Sequence, residues 1–313
     1  MKRRLTALST IALVAACASP DGAPTAVQAP DGAAALSAAS ATAEFGPPDA
    51  HVFLARGVTR SAVPFARSPN MTYHGGKIMT TANITAIFWG TSWGSPGDKI
   101  SGNDVLYGGW SNSSFARTNI EYTGSNGTVG ATATYSGHVI DLTAASGGGN
   151  TSAILSAVCR NIPNPDASGN GYYPVYTDIP RGSAGYCAWH SAGNCGGKPV
   201  QFAFFWKLDG DSGCDPVDTR SVYSQGMEAL ANVAAHELSE AVTDPASPGA
   251  WYDRQGQENA DKCAWAFNDG HNNIVTLSNG SSWKLQGNWS NRAYTNGTGY
   301  ANRSGQKGCI SSA

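Results

Sequence analysis

The chain has 313 residues, and only 13% of them are charged, compared with about 25% in an average soluble protein. Its formal net charge is −2, and removal of Lys2, Arg3 and Arg4 would change it to −5. Because no run of Lys or Arg follows these three residues, the sequence argues against a nucleic-acid-binding protein.

The first 17 residues predict an export signal. A positive region at residues 2–4 precedes a largely apolar stretch at 5–16 that ends in small residues suited to cleavage. This stretch is too short to cross a bilayer, which needs roughly 20 apolar residues. Val14-Ala15-Ala16-Cys17 resembles a bacterial lipobox, in which Cys17 would be acylated and become the mature N-terminus. The alternative is an ordinary cleavage site followed by a chance cysteine.

The signal predicts an extracellular or cell-surface protein that meets the membrane only through a lipid anchor at Cys17. Residues 18–70 are expected to form a disordered tether, because much of this segment is rich in Ala, Pro and Ser and poor in large apolar side chains. The remaining residues, 71–313, are enough for a single folded domain.

Cysteine usage agrees with export. Apart from Cys17 the chain has six cysteines, an even number that predicts three disulfides in an oxidising compartment. No C-x-x-C spacing indicates a zinc ribbon or a thioredoxin-like site. The predicted disulfide cysteines are Cys159, Cys187, Cys195, Cys214, Cys263 and Cys309.

The predicted elements alternate between strands and helices, which indicates an α/β or α+β fold with helices packed on a mixed sheet. A zincin-like arrangement is compatible with this order, and the C-terminal part is expected to be β-rich and closed by a disulfide. Strands are predicted over 84–89, 131–142, 172–176, 200–206, 273–277 and 282–289. Helices are predicted over 97–110, 151–162 and 225–242.

The helix predicted at 225–242 carries the strongest functional signal. Small and apolar residues at three- and four-residue spacing predict a buried stripe, and polar residues recur every four positions on another face. Glu237, Glu240 and Asp244 lie in the last turns, where the helix dipole disfavours each anion by about 0.3–1 kcal/mol. We therefore expect a cation to compensate them, and a bound metal ion would do so.

His236-Glu237-x-x-Glu240 resembles the zincin motif H-E-x-x-H, with glutamate replacing the second histidine. In that motif the two histidines bind the metal and the glutamate activates water. The resemblance implies that His236 and Glu240 are ligands, that Glu237 is the catalytic base, and that Glu258 is the third ligand. Further candidates to line the site are Asp244, Asp253, Asp261 and His190.

These residues predict a divalent metal, with zinc as the first expectation, in a hydrolase that acts on peptide bonds. Replacing an imidazole by a carboxylate hardens the site and favours manganese or calcium. One alternative is a non-catalytic wall or glycan-associated protein with a structural cation. Another is an ordinary solvated His–Glu pair on an exposed helix face.

Several segments match a known family in order. They are Tyr73-His-Gly-Gly-Lys-Ile-Met79, Phe88-Trp89-Gly90, Tyr186-Cys-Ala-Trp-His190, Ala235-His-Glu-Leu-Ser-Glu-Ala-Val-Thr-Asp-Pro245, and Trp251-Tyr252-Asp253 with the following Glu258-Asn-Ala-Asp-Lys-Cys-Ala-Trp265. Together they resemble the phosphate-induced, or EXORDIUM-like, family of secreted proteins across most of 72–310.

The lipobox suggests a bacterial member of this family. The resemblance implies an extracellular or wall location; plant members are linked to growth and cell expansion, without an established reaction. Plant members tend to end the helix in Thr-Asn-Pro, where this chain has Thr243-Asp244-Pro245. We also expect Cys263 and Cys309 to pair, which would hold the C-terminal part next to Glu258.

Overall fold

A computed structural model describes residues 45–59 and 68–313 of the chain. Within those ranges the chain forms fifteen β-strands and four α-helices. The strands are β1 (His51–Leu54), β2 (Thr72–Tyr73), β3 (Ala82–Trp89), β4 (Thr123–Gly124), β5 (Gly127–Thr128), β6 (Ala133–Asp141), β7 (Gly171–Pro180), β8 (Tyr186–Cys195), β9 (Lys198–Lys207), β10 (Trp251–Tyr252), β11 (Ile274–Thr276), β12 (Ser282–Lys284), β13 (Asn288–Trp289), β14 (Tyr300–Ala301) and β15 (Lys307–Ile310). The helices are α1 (Lys99–Gly108), α2 (Thr151–Asn161), α3 (Gln225–Thr243) and α4 (Asn291–Asn296).

Six strands form the central sheet in the order β1-β8-β9-β7-β3-β6. Strands β6, β3, β7 and β9 are parallel, whereas β8 is antiparallel to both β1 and β9. The sheet is therefore mixed, which confirms the predicted α/β class. The apolar runs in β3, β7 and β9 occupy central positions covered on both faces, while the edge strand β6 alternates between half-buried and exposed residues.

Strand β1 corrects the predicted tether. Val52 and Phe53 are buried, and β1 pairs with β8 so that His51 lies opposite His190. The tether prediction of 18–70 is therefore wrong for residues 51–54, and a domain start at residue 71 is too late. The predicted signal and the lipidation site at Cys17 lie outside the described residues.

Helix α3 is buried on every side. All residues from Gly226 to Thr243 are buried, and the helix contacts β8 and β9 of the sheet as well as α1 and β12. The Ser224 hydroxyl caps its first turn by accepting a hydrogen bond from the N–H of Met227. Because no face of α3 is exposed, an ordinary solvated His–Glu pair is excluded.

Three disulfides join the predicted cysteines: Cys159–Cys195, Cys187–Cys214 and Cys263–Cys309. The expected pairing of Cys263 with Cys309 is confirmed, and it closes a C-terminal part built from the short strands β11 to β15. Disulfides are typical of proteins in an oxidising, extracellular environment. In the described ranges, none of the helices has the length and apolar character needed to span a membrane.

Phe53→Ala should destabilise the domain by about 3–5 kcal/mol, the usual cost of truncating a fully buried aromatic side chain. Phe53 is 0% exposed, and its ring stacks on His236 and Trp265 with centroids 3.7 Å and 4.7 Å away. Urea unfolding followed by circular dichroism measures the change. The control, Val222→Ala at a 93% exposed position, should stay within about 0.5 kcal/mol of wild type. Equal effects of the two changes would show that β1 does not belong to the fold.

Candidate metal centre

Titratable side chains from four parts of the chain meet beside the sheet. The antiparallel strands β1 and β8 contribute two histidines, α3 contributes its His-Glu-x-x-Glu residues, and the segment after β10 adds two acids. We refer to these seven residues as the buried cluster. They are His51, His190, His236, Glu237, Glu240, Glu258 and Asp261.

Imidazoles and carboxylates alternate through the buried cluster. His236 Nε2 lies 3.1 Å from Glu240 Oε1, and Glu240 Oε2 lies 3.6 Å from His190 Nε2. The same nitrogen of His190 lies 2.9 Å from Glu258 Oε2. Glu258 Oε1 in turn lies 3.1 Å from His51 Nδ1. Each of the two carboxylates therefore faces two imidazoles, which suits either a hydrogen-bonded chain or metal ligation.

The buried cluster is sealed at its centre and exposed at two edges. His190, Glu258 and the three residues from α3 have 0–1% of their surface exposed. By contrast, 42% of the His51 side chain and 24% of the Asp261 side chain are accessible to solvent. Solvent therefore meets the cluster at His51 and Asp261.

Four carboxyl groups with 0–1% exposure gather around the end of α3. In the described part of the chain, no Lys or Arg forms an ion pair with any of them, and the partners of the two that form ion pairs, Glu240 and Glu258, are histidines. A buried anion without a compensating charge costs several kcal/mol, so protons or a bound cation must neutralise this group. The four are Glu237, Glu240, Asp244 and Glu258.

Two of these carboxyls have raised pKa values. Burial raises the pKa of Glu237 well above 4.5, and the negative charges of Glu240 and Asp261 raise it further. Burial likewise raises the pKa of Glu258, with Glu240 and Asp244 adding to the effect. Without a cation, both groups therefore keep their protons to a higher pH than an ordinary glutamate does.

Glu240 behaves in the opposite way. Burial alone would raise its pKa, but interactions with His236 and His190 outweigh burial and lower it. Its Oε1 also accepts a hydrogen bond of 2.8 Å from the backbone N–H of Asp261. Glu240 therefore stays ionised to a lower pH than Glu237 or Glu258 does.

Several polar atoms of the buried cluster have no hydrogen-bond partner within the described ranges. They include both oxygens of Glu237, Glu240 Oε2, Glu258 Oε1 and His236 Nε2. The contacts of 3.1 Å made by the last two atoms lack the direction of a hydrogen bond. A buried polar group without a partner costs about 1–3 kcal/mol, and imidazole nitrogen with carboxylate oxygen is a typical donor set for zinc or manganese. These side chains therefore fit a divalent cation.

Gln286 determines which nitrogen of His236 carries the hydrogen. Gln286 Oε1 accepts from the N–H of Trp265 at 3.1 Å, and its Nε2 donates to the carbonyl of Ala260 at 2.9 Å. The same Nε2 lies 2.8 Å from His236 Nδ1, which must therefore accept. In the neutral ring the hydrogen is then on Nε2, the atom that faces Glu240. A metal-binding imidazole usually has the reverse arrangement, with its outer nitrogen donating.

The structure brings together most of the residues that the sequence singled out. His236, Glu237, Glu240 and Glu258 all belong to the buried cluster, and so do two of the four further candidates, His190 and Asp261. Helical spacing placed the first three correctly. The others are distant from this motif in sequence, and the tertiary fold places them near the end of α3.

The remaining two candidates lie differently. Asp244 is buried and its Oδ1 accepts a hydrogen bond of 2.5 Å from the N–H of Ala250. Asp253 does not belong to the buried cluster, because Lys262 Nζ binds its Oδ2 at 2.6 Å. The buried lysine of this segment is thus paired with Asp253 rather than with the carboxyls of the cluster.

Sequence reasoning missed His51 and Gln286. His51 precedes the apolar run Val52-Phe53-Leu54, which is the signal that could have identified β1 within the supposed tether. Gln286 carried no signal, because its contact with His236 joins residues 50 positions apart.

Comparison of the chain with protein-family models, curated proteins and solved structures finds no match. The resemblance to the EXORDIUM-like family therefore stays a prediction. The geometry of the buried cluster carries the functional argument.

The metal-free protein should lose stability as the pH rises above about 4.5, the ordinary pKa of glutamate. The unfolded chain ionises Glu237 and Glu258 near that pH, whereas the folded chain retains both protons, so unfolding releases protons. Glu240 acts in the opposite direction below pH 4.5, because its pKa is lowered. Melting temperatures of chelator-treated protein from about pH 4 to about pH 8 measure the effect.

Glu228 provides the matched control for this prediction. It is a buried glutamate on α3 outside the cluster, and burial raises its pKa to about 8. Glu237→Gln should reduce the fall in melting temperature that the metal-free protein shows with rising pH. Zinc added to the wild type should reduce the same fall by binding to the cluster. Glu228→Gln should leave the effect of zinc unchanged. A metal-free melting temperature that does not fall with rising pH would contradict the assignment.

Proposed function

We propose that this chain is an exported EXORDIUM-like protein whose buried cluster is the metal centre of a zincin-like hydrolase acting on peptide bonds. The observation that carries the proposal is the state of Glu237. Its carboxyl is fully buried, neither oxygen has a hydrogen-bond partner in the described ranges, and it lies within reach of His190 and Glu240. A structural cation site would use such a carboxylate as a ligand, whereas a hydrolase needs one free for proton transfer.

The residues of the cluster divide between metal binding and proton transfer. When bound, a divalent ion supplies Lewis-acid polarisation of the scissile carbonyl. The helix motif suggests His236, Glu240 and Glu258 as ligands, and the buried cluster also offers His51 and His190 as donors. Zinc is the proposed ion, with manganese and calcium as the alternatives that carboxylate ligands allow. Glu237 would accept the proton of the attacking water and pass it to the leaving amine. Burial raises the pKa of Glu237 in the absence of a cation, so the bound ion would have to lower it before the carboxylate could accept a proton.

Export is part of the proposal. The three disulfides support an oxidising compartment, and the residues before the described domain resemble a signal peptide with a lipobox. We propose that Cys17 is lipidated and holds the protein at the cell surface. Its substrates would then be extracellular or cell-wall peptides.

Glu237→Gln should lower hydrolysis by about 100-fold to 10,000-fold, the usual contribution of a general base. The amide keeps the shape of the side chain but cannot accept the proton. Because Glu237 is not assigned as a ligand, the metal content should stay at the wild-type value. Cleavage of a peptide library together with elemental analysis measures both quantities.

Glu228→Gln is the control for this experiment. Glu228 is also a buried glutamate of α3 with a raised pKa and two unpartnered oxygens in the described ranges, but it lies outside the cluster. Its variant should hydrolyse the library at the wild-type rate. Equal losses in the two variants would refute a specific role for Glu237, and loss of metal in Glu237→Gln would make it a ligand instead.

One observation favours a second function, a non-catalytic wall or glycan-associated protein with a structural cation. The five central residues of the cluster expose at most 1% of their surface, so a peptide bond reaches Glu237 only after a rearrangement. Under this function a chelator should lower the melting temperature, because the carboxyls lose their compensating charge, and no peptide or ester should be cleaved by the metal-loaded protein. Differential scanning calorimetry and the same library separate the two functions.

A further inference from the structure

We infer that the metal ion is bound by His51, His190 and Glu258, and that His236 lies beside the site without binding the ion. The inference rests on the proposed metal centre and deepens it, because it exchanges the ligands suggested by the helix motif. It also gives a function to β1, which lies outside that motif.

The donor atoms of these three residues lie close enough together to bind one ion. Glu258 Oε1 lies 3.1 Å from His51 Nδ1, and Glu258 Oε2 lies 2.9 Å from His190 Nε2. The ligand atoms of the three residues lie within 4.8 Å of one another. The two imidazoles are directly opposite on β1 and β8, with ring centroids 4.8 Å apart and planes inclined by 17°. Two imidazoles and a carboxylate form a common set of three protein ligands for catalytic zinc.

The carboxyl group of Glu258 has an oxygen available for a cation. Glu258 is fully buried, and its Oε1 has no hydrogen-bond partner within residues 45–59 and 68–313. This oxygen is turned toward His51 without the direction of a hydrogen bond. An ion between the two side chains would bind both atoms.

Solvent access also favours a site that includes His51. The side chain of His51 is 42% exposed, so an ion can reach this group from solvent. His236 is 1% exposed, and the ring of Phe53 stacks on it at 3.7 Å. A ligand set that includes His51 is therefore open to solvent through a ligand itself, whereas the His236 side of the cluster meets solvent only through Asp261, whose side chain is 24% exposed.

The contact with Gln286 excludes His236 as a ligand. Its Nδ1 accepts from Gln286, which leaves the ring hydrogen on Nε2, where a metal would have to bind. Turning the Gln286 amide would place two oxygens against each other at Ala260 and two donors against each other at Trp265. Both hydrogen bonds would be lost, so the amide is held in its observed orientation. The hydrogen on Nε2 then faces Glu240, whose other oxygen lies 3.6 Å from His190 Nε2.

Binding of Zn²⁺ alone, measured by isothermal titration on the purified metal-free protein, tests the assignment. His51→Ala and His190→Ala should each weaken zinc binding by at least about tenfold, as loss of a ligand or its immediate support does. His236→Gln should bind zinc within about threefold of wild type, since its side chain is not a ligand. The control is His138→Ala, which removes a histidine paired with Asp104 at 2.9 Å elsewhere in the domain. It should leave zinc binding unchanged.

A second measurement does not depend on substitutions. Long-range ¹H–¹⁵N NMR spectra report which nitrogen of each imidazole carries a hydrogen. We expect His236 to keep its hydrogen on Nε2 before and after zinc is added, and the signals of His51 and His190 to shift. This readout remains informative if His190→Ala fails to fold.

The outcomes separate this inference from the proposed function. If His236→Gln abolishes zinc binding while His51→Ala preserves it, the inference is overturned and the metal centre survives with the ligands of the motif. If His51 and His190 bind zinc but the loaded protein cleaves no peptide, the inference stands and the hydrolase is wrong. A wild-type protein that binds neither zinc, manganese nor calcium would overturn both.

Discussion

The buried carboxyl groups at the end of α3 impose the constraint that organises their surroundings. The helix dipole and the loss of water both disfavour anions at this position. In the described ranges, the charged partners of these carboxyls are imidazoles rather than lysine or arginine, and the nearby Lys262 is paired with Asp253. Imidazoles compensate charge only partly and bind metals when neutral. A core arranged in this way is stable with protons on its acids or with a cation among them.

Strand β8 holds one side of the buried cluster in place. His190 lies between Cys187 and Cys195, and both cysteines form disulfides with other parts of the domain. The strand also pairs on both edges, with β1 and with β9. Two covalent links and two sets of backbone hydrogen bonds therefore hold His190, and β1 places His51 beside it. Such preorganisation suits a metal centre, whose ligands must be held close to their binding geometry.

The sequence predicted the parts of the fold whose signals are local. Continuous apolar runs identified β3, β7 and β9, and the spacing of His236, Glu237 and Glu240 brought them together on one helix. Local patterns did not predict that α3 is covered on all sides, because segments distant in sequence, including β12, cover its second face. They also missed β1, whose four residues follow a long Ala- and Pro-rich stretch. The orientation of the His236 ring depends on Gln286, and no periodicity in the sequence connects them.

Metal binding and proton transfer are linked in this arrangement. Without a cation, burial and neighbouring negative charge keep Glu237 protonated, and a protonated carboxyl cannot act as a base. A divalent ion between His190 and Glu258 would add positive charge beside these acids and lower the pKa of Glu237. The ion would thus activate the base electrostatically, in addition to any effect on a substrate carbonyl. Under the proposed roles, activity would then depend on the ion even with Glu237 outside the ligand set.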